Sequence, residues 1–138
     1  MNLSIYMEQH QSIREEINII NALINKGNIA EDAGEIALHI NLLAGRLNIH
    51  LSVEDKYLYP ELQETGDAQL KNMVEAYKSE MGELFDEFNT YKVQFNTKPK
   101  LMAHEGIFIS NTKRIFNQII SRMEKEEKGL YKQIWLNK

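Results

Sequence analysis

The sequence predicts an all-α fold: an antiparallel up-down-up-down four-helix bundle, forming a single domain over residues 1–138. Three observations predict it. Three short breaks divide the chain, apolar residues in each resulting segment recur every three or four positions, and strand-like alternation is sustained nowhere. The breaks are Asn25-Lys26-Gly27-Asn28, then Glu64-Thr65-Gly66-Asp67 just after Pro60, then Asn96-Thr97-Lys98-Pro99. Each holds turn-forming residues and a glycine or a proline. Connections this short make consecutive helices antiparallel neighbours.

The elements follow in order. The first segment carries Leu3, Tyr6, His10, Ile13, Ile17, Ile20 and Ile24 on one face. The second carries Ile36, Leu43, Leu47, His50, Glu54 and Tyr57, and the third Met73, Tyr77, Met81, Leu84, Phe88, Tyr91 and Phe95. The fourth carries Ile115, Ile119, Arg122, Glu126, Leu130 and Ile134. Such stripes face a core. Tyr57, Tyr77 and Tyr91 read as core residues whose hydroxyls reach partners, and Met73 and Met123 as core fillers. Ile107-Phe108-Ile109 favours a strand locally, but helical spacing surrounds it.

Composition narrows the function. With 138 residues, 43% hydrophobic and 26% charged, the chain can bury a core without disulfides. The net charge is -4, with 16 basic residues scattered among 20 acidic ones, so no nucleic-acid partner is expected. The mixed run Glu124 to Lys128 reads as a solvated helix face. The absence of cysteine excludes disulfides, thiolate zinc sites, iron–sulfur ligation and cysteine nucleophiles. The stretch MNLSIYMEQHQS has no basic n-region or long apolar run, and no window approaches a membrane span. A cytoplasmic protein with no membrane partner is therefore expected. No nucleophile–base pair with convincing spacing and no glycine-rich phosphate loop supports a metal-free enzyme.

The informative residues are polar ones where the pattern wants apolar ones. His10 interrupts a Leu/Tyr/Ile stripe, and His50 and Glu54 share one helix face about a turn apart. Burying ionisable groups is costly unless they are paired or ligate a metal. Measured from the turn at Asn28, His10 and His50 lie at levels only about 6 Å apart, so adjoining helices can bring them together. Nitrogen and oxygen donors without sulfur suit iron, manganese or zinc. The plain alternative is a hydrogen-bonded core histidine beside a chance HxxxE spacing.

These residues resemble the hemerythrin superfamily, specifically its HHE cation-binding domains. The stretch from His50 to Leu62, with Glu54 and the exit Leu58-Tyr59-Pro60, is similar to that family's second-helix motif. His10 matches its single first-helix histidine, in Met7-Glu8-Gln9-His10 followed by Ile13 and Ile17. The resemblance implies a four-helix bundle with a non-haem di-iron centre, in proteins that bind or sense small ligands such as dioxygen or that act in nitric-oxide chemistry.

The chain also looks internally duplicated. Glu54-Asp55-Lys56-Tyr57-Leu58-Tyr59-Pro60 aligns with Glu126-Glu127-Lys128-Gly129-Leu130-Tyr131-Lys132. Glu126 then matches Glu54, but Arg122 stands at the position of His50, and Met81, or with a one-residue shift Glu80, at that of His10. The second half thus lacks both expected histidines. Arg122 cannot ligate iron because its guanidinium stays protonated, and Met81 is a soft donor.

Three readings remain open at this level. In the first, His10, His50 and Glu54 form a reduced or mononuclear iron site, completed by Glu126 and by Glu80 or Asp55, with an open position for a small diatomic ligand. In the second, no metal binds. Arg122 supplies the missing positive charge by holding Glu54 and Glu126, or simply snorkels to water, and the bundle serves as an interaction or regulatory module for a protein partner. In the third, the site is displaced toward His39 or His104. His39 lies on the His50 face but about 16 Å away along the helix, and His104 falls near a bundle end, so a surface or cap-proximal role is the default for both.

Overall fold

The computed structural model describes residues 2–136, and all their regular structure is helical. The helices are α1 (Ser4–Asn25), α2 (Ile29–Val53), α3 (Tyr59–Thr65), α4 (Ala68–Phe95), α5 (Lys98–Ala103), α6 (Glu105–Lys125) and α7 (Tyr131–Leu136). A π-helical turn, Glu54–Leu58, joins α2 to α3, and a second, Glu126–Leu130, joins α6 to α7. The long helices α1 and α4 each pack against both α2 and α6. No helix among the described residues is long and apolar enough to cross a membrane.

Local chemistry explains the ends. Gly27 closes α1 with φ of 84°, a conformation that side chains resist. Asp67 caps α4 by accepting the Leu70 N–H at 2.8 Å, and Thr97 caps α5 ahead of Pro99 in the first turn. The expected fourth helix is broken at His104 (φ -123°), so it begins as the separate short helix α5.

Two apolar clusters fill the interior. The larger takes Ile13, Ile17 and Ile20 from α1, Ile36, Ile40 and Leu43 from α2, Phe88 and Phe95 from α4, and Ile115 and Ile119 from α6. The smaller contains Tyr6, Leu58, Tyr59, Val74, Leu130 and Tyr131. Each fully buried Ile or Leu contributes about 1.5–3 kcal/mol relative to exposure, so the clusters hold the helices in place around the polar residues between them. Along α1, α2 and α6, the interval between the two clusters falls at His10, at His50 with Glu54, and at Glu126.

One stripe assignment is corrected. Tyr57 is 58% exposed, whereas Leu58 and Tyr59 are buried. A π turn adds one residue and advances the buried face by about 100°. Tyr91 is buried and shares a 2.7 Å hydrogen bond with the Thr112 hydroxyl, while Tyr77 and Met73 are only half-buried. Phe108 is buried within α6, and the neighbouring Ile107 and Ile109 face outward.

Candidate metal centre

His10 on α1, His50 on α2, and Glu54 and Glu126, the first residues of the two π turns, are 0–1% exposed. The Nε2 atoms of His10 and His50 face each other at 3.0 Å. His50 Nε2 lies 3.1 Å from Glu54 Oε1, and His10 Nε2 lies 3.7 Å from Glu126 Oε1. One ligand atom from each of His10, His50 and Glu126 falls within 4.8 Å of the others.

The outer nitrogens show which way each ring is used. His10 Nδ1 is 2.6 Å from Glu127 Oε2, a carboxylate that Arg14 also holds at 2.8 Å. His50 Nδ1 is 2.7 Å from Gln9 Oε1. Both partners accept, so both rings donate from Nδ1, and burial holds the His10 pKa below its ordinary value. In the neutral tautomer with Nδ1 protonated, each ring would turn its Nε2 lone pair toward the other. Two lone pairs at that separation repel unless a cation lies between them.

The carboxylates carry the same message. Neither oxygen of Glu126 has a hydrogen-bond partner among the described residues, a costly state for a buried group. Burial, and then the charge of Glu54, push the Glu126 pKa well above the ordinary carboxylate range. Burial acts to raise Glu54 too, but its neighbours His50, Glu126 and Tyr131 outweigh it and hold Glu54 low. The donor set is two imidazole nitrogens and hard carboxylate oxygens, which fits iron, manganese or zinc.

Aromatic rings wall the group. Tyr131 stacks on His10 with centroids 5.4 Å apart, and its hydroxyl donates to Glu54 Oε2 at 2.8 Å. The Tyr59 hydroxyl reaches Glu54 Oε1 at 3.5 Å, and Tyr6 stands edge-on to His50. Burial pushes the hydroxyl pKa values of both Tyr59 and Tyr131 far up.

The other sequence candidates lie elsewhere. Arg122 turns away from Glu54 and Glu126: its guanidinium pairs with Glu80 at 2.5 Å and lies 5.1 Å from the Tyr77 ring. Glu80 is thus engaged at the surface, Asp55 is exposed, and Met81 belongs to the apolar core. His39 binds Glu16 at 2.6 Å, and Arg46 holds the other Glu16 oxygen at 3.1 Å, an ion network apart from the metal candidates. His104 is exposed and edges against Phe95. The run Glu124 to Lys128 is not uniformly solvated, since Glu126 is buried and Glu127 braces His10.

Sequence reasoning missed Gln9, Arg14, Glu127, Tyr59 and Tyr131. The duplication carried a signal for the tyrosines. Both repeats run from a buried Glu through a π turn to a buried Leu and then a buried Tyr.

A helical chain with a buried His–His–Glu group able to hold a metal ion defines a class, the helical cation-binding domains. Residues 1–134 match the hemerythrin HHE cation-binding domain, and the chain belongs to that family. No curated protein and no solved structure matches it.

Proposed function

We propose that the protein is a single antiparallel up-down-up-down bundle that binds one iron ion at His10, His50, Glu54 and Glu126, leaving room for a small diatomic ligand such as dioxygen or nitric oxide. The observation that carries this reading is the inward meeting of two Nε2 atoms at 3.0 Å beside the unpartnered Glu126 carboxyl. His10 and His50 donate neutral imidazole nitrogens, while Glu54 and Glu126 neutralise the cation's charge. Glu127 and Gln9 fix the rings in the donating tautomer. When bound, iron supplies a Lewis-acidic, redox-active centre with open positions. The walls of Tyr6, Tyr59 and Tyr131 keep water from it.

The metal-free module gains no support from Arg122, which pairs with Glu80 and leaves the carboxylates of Glu54 and Glu126 without a cationic side chain from that position. The deciding experiment is metal analysis of protein purified without oxygen and resupplied with ferrous iron. About one iron per chain is expected, with most of it lost in His50→Leu while far-ultraviolet dichroism stays helical. Wild-type protein that retains no iron, manganese or zinc sinks the proposal.

A further inference from the structure

The second repeat offers Arg122 where the first has His50, so the cluster is short of nitrogen donors on that side. A phenol fills the space. Tyr131 is 3% exposed, and its hydroxyl lies 2.8 Å from Glu54 Oε2 and 3.4 Å from His10 Nε2. Ligand atoms about 2.0–2.1 Å from one metal stand about 3.0 Å apart at right angles and about 3.4 Å apart at tetrahedral angles. The edges His10–His50 at 3.0 Å and His50–Glu54 Oε1 at 3.1 Å obey that rule, and the Tyr131 distances to Glu54 Oε2 and His10 Nε2 fall close to the same range, so one metal would meet Glu54 through both of its oxygens. Tyr59 approaches only Glu54, at 3.5 Å, and Tyr6 meets His50 through its ring edge.

We propose that Tyr131 is itself a ligand of the bound metal, its oxygen closing the edge between Glu54 and His10. This rests on the metal reading above and deepens it. It makes the site a three-part donor set of imidazole, carboxylate and phenolate, suited to a hard ferric ion. On coordination, the phenol O–H bond is exchanged for an oxygen–metal bond and the proton passes to solvent; no electron moves. Stacking on His10 fixes the ring in place before binding.

The test is the visible spectrum of ferric-loaded protein alongside its measured iron content. A phenolate-to-iron charge-transfer band is expected, with tyrosine ring modes enhanced when the band is excited in a Raman experiment. Tyr131→Phe should lose the band while keeping iron, and Tyr59→Phe should keep both. Iron retained without the band in wild type, or a band that survives Tyr131→Phe, overturns the assignment and leaves the metal site standing. Wild type that holds no iron removes the site and this ligand together, which the metal analysis reveals independently of the spectrum. Should Tyr131→Phe fail to fold or to hold iron, Tyr59→Phe and Tyr6→Phe decide: a band kept in both supports Tyr131, and one lost in either overturns it.

Discussion

Glu127 is the residue whose loss reports most sharply on the metal centre without removing a proposed ligand. Its carboxylate sits 2.6 Å from His10 Nδ1, a charge-assisted contact that orients the ring and raises its basicity. Removing such a brace typically lowers metal affinity about 10- to 100-fold, or roughly 1.4–2.7 kcal/mol. Two facts temper the upper end: Glu127 is 20% exposed, and Arg14 draws on the same carboxylate. Glu127→Ala should therefore weaken binding by about 30-fold, and Glu127→Gln, which keeps an acceptor but not the charge, by about 10-fold. Competition for zinc against a coloured chelator at fixed pH reads the affinity without redox complications. Affinities within about twofold of wild type for both folded variants would refute His10 as a braced ligand.

Other consequences follow from the same geometry. The pKa of Glu126 is raised above 4.5, so its contribution to the metal-free fold is full below 4.5 and is lost as pH rises through the folded-state value. Glu126→Gln should flatten that decline, so as pH rises above 4.5 the metal-free variant loses less stability to urea than wild type; an unchanged slope contradicts the assignment. Arg122→Ala should leave metal content unchanged and cost only about 1 kcal/mol, because its partner Glu80 is 52% exposed. Loss of metal in that folded variant would restore Arg122 to the site. At Gly129 an added Cβ would meet the Tyr77 hydroxyl at 2.6 Å, where that hydroxyl bonds the Lys125 carbonyl beside the second π turn. Gly129→Ala should destabilise by about 1–3 kcal/mol in thermal unfolding, and adding Tyr77→Phe should recover part of it; additive losses would rule out the contact.

The helical architecture was legible because each segment keeps its apolar stripe, and His10, His50, Glu54 and Glu126 stood out as polar residues within those stripes. The π turns were not legible. Nothing in Glu54-Asp55-Lys56-Tyr57-Leu58 marks a widened turn, so periodicity puts Tyr57 inside although Leu58 and Tyr59 take that face. Arg122 occupies a stripe position, yet its long side chain carries the charge out to Glu80, which periodicity cannot reveal. Glu127 was hidden for the opposite reason: in a run of alternating charges, sequence does not say which acid turns toward a histidine from another helix. The repeat that matches Glu126 to Glu54 also sets Tyr131 against Tyr59, and the first hint of a phenol at the site lies there.

The most direct test is anomalous diffraction at the iron edge from crystals of the reconstituted protein. Iron bound as proposed gives one peak per chain, within about 2.5 Å of His10 Nε2, His50 Nε2 and a Glu126 oxygen. A fully loaded crystal with its iron elsewhere, or with those side chains still meeting one another and no peak between them, contradicts it.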